Sequence, residues 1–218
     1  MSNVPMRRVA LFDFDGCLIR GDSFARLLRT LIERSPARRA LALAALPVLL
    51  PMLATQRWKG HAARSFVRIA TSGRDAAVLE AAIAAELERA KSRWIEPAWA
   101  ALDAHRAAGD RVIVVTGAGD VLARPLLASR DRGGIELVAS PVELRRGGWV
   151  ARRHCFGAEK VRMLAEIGVE PPWDVAYSDS SVDLPMLAGA RRAVLVSPKP
   201  RCEAAVQRVL PGIEVVRW

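Results

Sequence analysis

Asp13 and Asp15 stand one residue apart at the end of an apolar run, in Val9-Ala10-Leu11-Phe12-Asp13-Phe14-Asp15-Gly16. Val9–Phe12 is rich in strand formers, and Gly16 permits a sharp turn after the second carboxylate. Strand side chains alternate with period two, so Asp13 and Asp15 are expected to leave the strand end on the same side. Two carboxylates that close repel, and one is neutralised unless a cation or a shared proton intervenes. The chemistry on offer is a metal site, a nucleophile or a proton shuttle. The chemically silent alternative is a loop with two solvated aspartates.

Four further features fall at predicted strand or helix ends. Thr116-Gly117-Ala118-Gly119 follows a second strand, and a hydroxyl with free N–H groups in a Gly-containing loop holds phosphate oxygens; a capping turn has the same composition. Lys160 lies in the first turn of a helix that starts after Gly157. A cation is disfavoured there, so an anionic partner is expected, with a solvated surface lysine as the alternative. Asp179 ends a strand, and Asp183 follows in the first turn of the next helix. The pair reads either as helix capping or as part of an acidic site.

The elements that must hold these residues alternate from Arg111 onward. Strands are predicted at Val112–Val115, Ile135–Ala139, Val175–Tyr177, Ala193–Val196 and Ile213–Val216. Helices are predicted at Asp120–Ser129, Ala158–Ile167, Val182–Leu187 and Ala204–Leu210, and a hairpin over Val142–Val150. Short apolar strands alternating with helices imply a largely parallel sheet covered on both faces. Such sheets place their sites beyond the carboxyl ends of the strands. Between Leu18 and about His105 no strand pattern appears, and the segment is helical in period. It reads as an insertion seated over the strand ends. The expected division is a core of residues 1–18 and 105–218 with a cap of 19–104.

Within the insertion, Ala40–Ala54 carries no charge and is flanked by Arg38 and Arg39 on one side and Arg57, Trp58 and Lys59 on the other. Fifteen helical residues rise only ~22 Å, short of the ~30 Å hydrocarbon core, and Pro47 and Pro51 are expected to break the helical ladder. Two readings remain. One is a buried, kinked helix or hairpin inside the cap. The other is an interfacial or re-entrant anchor with basic and Trp residues at headgroup level.

The 218 residues suffice for one substantial core with a smaller appendage. The net charge of +10 is carried mostly by Arg and suits nucleic acid, an anionic membrane surface or phosphorylated substrates. Basic runs with interleaved aromatics are absent and Tyr177 is the single tyrosine, so a nucleic-acid partner is not expected. Cys17, Cys155 and Cys202 are odd in number, without a C-x-x-C pair, which suggests neither a disulfide framework nor a zinc site. Met1–Arg8 has no apolar h-region, and a reducing cytosol is the expected compartment.

Taken in order, D-x-D, Thr-Gly, Lys and D-x-x-x-D resemble the four motifs of the haloacid dehalogenase-like (HAD) superfamily of phosphohydrolases, over Val9–Gly16 and Arg111–Val196. The resemblance implies a Rossmann-like α/β core, a parallel sheet flanked by helices, with the helical cap of the phosphoserine-phosphatase-like branch inserted after the first strand. It also implies roles. Asp13 would be the nucleophile that forms an aspartyl-phosphate. Asp15 would be general acid and then base. Thr116 and Gly117 would hold phosphoryl oxygens, and Lys160 would offset charge. Asp13, Asp179 and the Asp15 carbonyl would ligate Mg²⁺, with Asp183 beside them. Four aspartates against one lysine leave about −3 before a phosphate arrives, so a cation is needed.

Longer stretches resemble the C-type phosphatidylglycerophosphatases, membrane-associated enzymes acting on a lipid phosphate. They are the Arg-flanked apolar segment, Val138–Pro141, Gly147–Val150, Cys155–Lys160 and Tyr177–Ser180. A basic face and an apolar cap suit a lipid phosphate at an anionic membrane surface, and a peripheral position on the cytoplasmic face of the inner membrane would follow. The rival is a soluble phosphomonoesterase of phosphoserine-phosphatase type, acting on a phosphorylated small molecule, in which Asp22 would hold the substrate ammonium. Non-catalytic HAD-fold binding proteins normally lose part of this motif set, which is intact here. A dehalogenase has no need of the acid at Asp15. Cys17 stands where the family usually has Thr.

Overall fold

The computed structural model of the chain describes residues 7–131, 133–145 and 148–218. The side chains of residues 56, 57 and 59 lie outside the description, and with them the basic flank expected from Arg57 and Lys59. So do residues 1–6 and the hairpin tip at 146–147.

A six-stranded, all-parallel sheet forms the centre, in the order β3-β2-β1-β6-β7-β8. Its strands are β1 (Val9–Phe12), β2 (Arg111–Gly119), β3 (Ile135–Ser140), β6 (Trp173–Ser178), β7 (Ala190–Val196) and β8 (Glu214–Val216). β4 (Val142–Arg145) and β5 (Gly148–Ala151) form the predicted hairpin. The central strands are apolar on both faces. Phe12, Val112, Val114, Val175 and Tyr177 pack on one side, and Leu11, Ile113, Val115, Ala176 and Trp173 on the other, as a sheet covered on both faces requires. Chain order reverses on either side of β1, with β2 and β3 to one side and β6 to β8 to the other. The crevice at such a reversal is where parallel sheets bind ligands.

Five helices intervene between β1 and β2: α1 (Ser23–Glu33), α2 (Pro36–Ala54), α3 (Gln56–Thr71), α4 (Ala76–Ala90) and α5 (Glu96–Ala107). The expected boundary at 104/105 falls inside α5. That helix packs on β2, and its Trp99 Nε1 donates to the Leu18 carbonyl at 3.1 Å. Downstream lie α6 (Asp120–Ala128), α7 (Ala158–Glu166), α8 (Leu184–Ala188) and α9 (Pro200–Gln207).

Three expectations change. β2 runs on to Gly119 rather than ending at Val115, through a register shift between Thr116 and Gly119. The last helix starts at Pro200 instead of Ala204, because Pro at the first helical position brings a preset φ and no N–H to satisfy. The third concerns α2, which does not break. It is one helix through Pro47 and Pro51. Both prolines and Leu43 lie on an exposed side, so the carbonyls that lose their donors face solvent. Nor is α2 buried. Of its residues only Leu49 is buried, while Leu41, Leu43, Val48 and Leu50 are 55–66% exposed. At 19 residues it is the one helix among those described that is long and apolar enough to cross a bilayer. The reading of Ala40–Ala54 as a buried element of the cap is thereby overturned.

Candidate active site

Asp13 follows β1 directly, and its N–H donates to the Tyr177 carbonyl of β6 at 2.9 Å. Period-two alternation puts it on the Leu11 face, where α7 packs with Leu164. From the first turn of α7, Lys160 Nζ donates to Asp13 Oδ1 and to Asp183 Oδ2, each at 2.7 Å. All three residues are buried. The anionic partner expected for Lys160 is therefore a pair of aspartates. Asp183 closes a 3-10 turn (Ser181–Asp183) and makes no side-chain cap of α8. Its carboxylate instead takes Lys160 and the Ser178 hydroxyl, at 2.7 Å.

Asp15 Oδ1 accepts from the Ser23 N–H at the start of α1, at 2.8 Å. Burial, and the charge of Asp22 beside it, push its carboxyl up to about 7. Burial raises Asp13 as well, with Asp183 and Asp179 adding to the rise against Lys160. It raises Asp179 to about 6, with Asp183 adding. Two aspartates so close hold Lys160 firmly charged despite its burial.

Asp179 packs against the turn after Asp15. A Cβ on Gly16, whose φ is +82°, would lie 2.2 Å from Asp179 Oδ2. Only glycine allows that approach. Thr116 is buried, and its Oγ1 accepts from the Ala118 N–H at 3.0 Å. Ser140 Oγ donates to the Gly117 carbonyl at 2.8 Å and accepts from the Cys155 N–H at 2.9 Å, which ties the β2 end to the segment leading into α7. Asp22 caps α1 through the Ala25 N–H at 2.8 Å. Cys17 is fully buried, and burial together with Asp13 and Asp179 keeps its thiol protonated.

All eight site residues singled out in the sequence line one cavity of about 1390 Å³: Asp13, Asp15, Asp22, Thr116, Gly117, Lys160, Asp179 and Asp183. Ser23, Ser140 and Ser178 hold the carboxylates and the β2 end in place, and sequence reading did not assign them. A lone serine carries no charge or periodicity to mark it. Among the described residues no three His, Cys, Asp or Glu side chains form a metal-ligand group. Lys160 Nζ engages Asp13 Oδ1 and Asp183 Oδ2 alike, Ser178 adds to Asp183, and the Ser23 N–H engages Asp15 Oδ1. Asp13, Asp179 and Asp183 bring carboxylate oxygens to the one cavity. An all-oxygen set in a crevice of buried carboxylates that raise one another fits a hard cation such as Mg²⁺.

The model of the haloacid dehalogenase-like hydrolases matches residues 10–188. A probable phosphatase of Mycobacterium tuberculosis (strain H37Rv) is 30% identical over 112 residues, 48% of this chain and 38% of that protein's length. In fold, the chain is similar to a protein of unknown function from Bordetella pertussis, with TM-score 0.75, 24% identity and coverage of 96% and 98% of the two chains. It is also similar to a substrate-bound phosphoserine phosphatase, with TM-score 0.63, 17% identity and coverage of 95% and 99%. The family match runs from the strand that leads into Asp13 to the helix after Asp183, and the chain belongs to the haloacid dehalogenase-like hydrolase family.

Proposed function

We propose that the protein is a Mg²⁺-dependent phosphomonoester hydrolase acting through an aspartyl-phosphate on Asp13, and that its substrate is a lipid phosphate such as phosphatidylglycerol phosphate. The observation that carries the catalytic reading is Lys160 Nζ, held 2.7 Å from both Asp13 and Asp183 in the cavity that Asp15, Thr116 and Asp179 also line. In the first step an Asp13 oxygen bonds to phosphorus as the ester P–O bond breaks, and Asp15 gives its proton to the departing alkoxide. A carboxyl raised to about 7 retains a proton for that purpose near neutrality. Asp15 then takes a proton from water, whose oxygen attacks the phosphorus and frees Asp13. Lys160 offsets the charge gathered around Asp13, while Thr116 and the Gly117 backbone hold phosphoryl oxygens. Asp13, Asp179 and the Asp15 carbonyl would hold Mg²⁺, which supplies Lewis-acid stabilisation of the phosphoryl charge when bound.

The lipid reading is supported by α2, which is apolar around its circumference and mostly exposed. A helix apolar all round calls for an apolar environment, and a net charge of +10 favours anionic lipid headgroups. In this reading the protein sits on the membrane surface, at the cytoplasmic face, with residues 19–104 as its cap. The soluble, phosphoserine-type alternative rests on fold similarity alone, and Asp22, its ammonium-binding residue, is engaged as the cap of α1.

The test compares phosphatidylglycerol phosphate, phosphoserine and an aryl phosphate, with Mg²⁺ and after exhaustive chelation. Turnover is expected only with Mg²⁺, to be abolished by Asp13→Asn, and to favour the lipid. Activity that survives chelation and is unchanged in Asp13→Asn would sink the mechanism. A preference for phosphoserine would sink the lipid assignment.

A further inference from the structure

The cavity that holds Asp13 does not end at the polar residues. Ala42, Leu43, Leu46 and Leu53 of α2 line it, as do Leu28 and Ile32 of α1 and Phe66 of α3. Ala42, Leu46 and Leu53 are spaced by four and seven, so they share one stripe of the helix, with the buried Leu49 between them and Leu43 at its edge. The strongly exposed Leu41 and Val48 lie off that stripe. α2 thus presents apolar side chains both outward and into the catalytic cavity, with Leu43 at the boundary between them. The volume of about 1390 Å³ exceeds the roughly 300–1,000 Å³ typical of small-molecule pockets. A phosphate and its polar head would occupy the aspartate end and leave water against leucine and phenylalanine at the other. A hydrocarbon chain covering that wall removes apolar surface from water, which is favourable in proportion to the area covered.

We propose that the space between α1, α2 and α3 is an acyl-chain site. It takes the first part of one hydrocarbon chain of a phosphorylated amphiphile out of the bilayer while the phosphate sits at Asp13. This rests on the phosphatase reading and adds to it where the chain goes. If the tails stayed wholly in the membrane, chain length would matter only when a membrane is present.

The experiment therefore uses no vesicles or detergent. Ethyl, butyl, hexyl and octyl phosphate are compared below their micellar concentrations. kcat/KM is expected to rise with length, by up to about fourfold for each fully buried methylene, and then to level off. Leu46→Trp, and separately Ala42→Phe, each checked for folding by circular dichroism, narrow the space and should cut the octyl-to-ethyl ratio by about tenfold. The matching alkylphosphonates, titrated calorimetrically, read binding without turnover. A flat series in the wild-type protein, in both hydrolysis and binding, overturns the site. So does a rise that neither folded variant changes. Length-dependent phosphonate binding without hydrolysis of any ester would uphold the chain site and reject the phosphatase. Hydrolysis with a flat series would do the reverse.

Discussion

At the scale of single residues the site is a balance of charge between buried carboxylates and a buried lysine. Lys160 is the pivot, because its Nζ lies 2.7 Å from both Asp13 and Asp183. Lys160→Met leaves two buried carboxylates facing each other. Breaking a buried pair costs about 3–5 kcal/mol, and losing one electrostatic contact to the reacting group costs roughly 10²–10³ in kcat. Both losses are expected, the first in urea unfolding and the second in steady-state turnover. Retention of full stability would show that the three groups share charge differently. Gly16 supports the other half of the site. Gly16→Ala drives a methyl to 2.2 Å from Asp179 Oδ2 at a φ of +82°, so Asp179 must move. The expected result is a higher Mg²⁺ concentration for half-maximal activity, with a smaller effect at saturating Mg²⁺. An unchanged Mg²⁺ dependence would remove Asp179 from the metal-binding set. These residues were legible in the sequence because charge beside a turn is a conspicuous pattern. Ser178 and Ser140 were not, since their importance lies in what they reach across the fold.

At the scale of elements, the helical insertion is fastened to the core at more than its two chain connections. Trp149 N–H of β5 donates to Thr71 Oγ1 at the end of α3, at 2.9 Å. The preceding Gly148 has φ +120°, and a Cβ there would lie 2.7 Å from the same hydroxyl. Gly148→Ala should therefore destabilise by more than about 1 kcal/mol, measured by urea denaturation. A neutral result would mean that the hairpin does not dock as described. α2 makes the opposite prediction. Replacing Leu41 and Val48 together by Glu should leave stability within about 0.5 kcal/mol per site, as for surface positions, while binding to anionic liposomes drops. Co-sedimentation equal to wild type would take the outward face of α2 away from the membrane. Composition alone suggested that Pro47 and Pro51 divide this segment. Their placement on the solvent side made the missing hydrogen bonds tolerable, and one sequence does not reveal which side of a helix will face solvent.

At the scale of the whole molecule, the crevice makes stability depend on pH and metal together. Asp13, Asp15 and Asp179 all have carboxyls raised in the folded state, Asp15 to about 7 and Asp179 to about 6, against about 3.9 in an unfolded chain. The folded, metal-free protein then binds more protons than the unfolded one across that window, so its stability falls as pH rises from 5 to 8. The Arg-paired surface glutamates Glu136, Glu143 and Glu214 shift downward and act only below that range. Tm in chelator should therefore drop between pH 5 and pH 8, and added Mg²⁺ should restore it at pH 8. A flat profile would mean that the carboxylates are already compensated within the protein. The linear pattern of the chain determined the parallel sheet, the inserted helices and the order of the acid, hydroxyl and lysine motifs, because strand and helix periodicities and turn residues act locally. Only the tertiary structure decided which carboxylate meets Lys160, which stripe of α2 turns into the cavity, and that an apolar wall continues from the catalytic crevice. Those outcomes depend on contacts between residues far apart along the chain, and packing selects them after the local elements have formed.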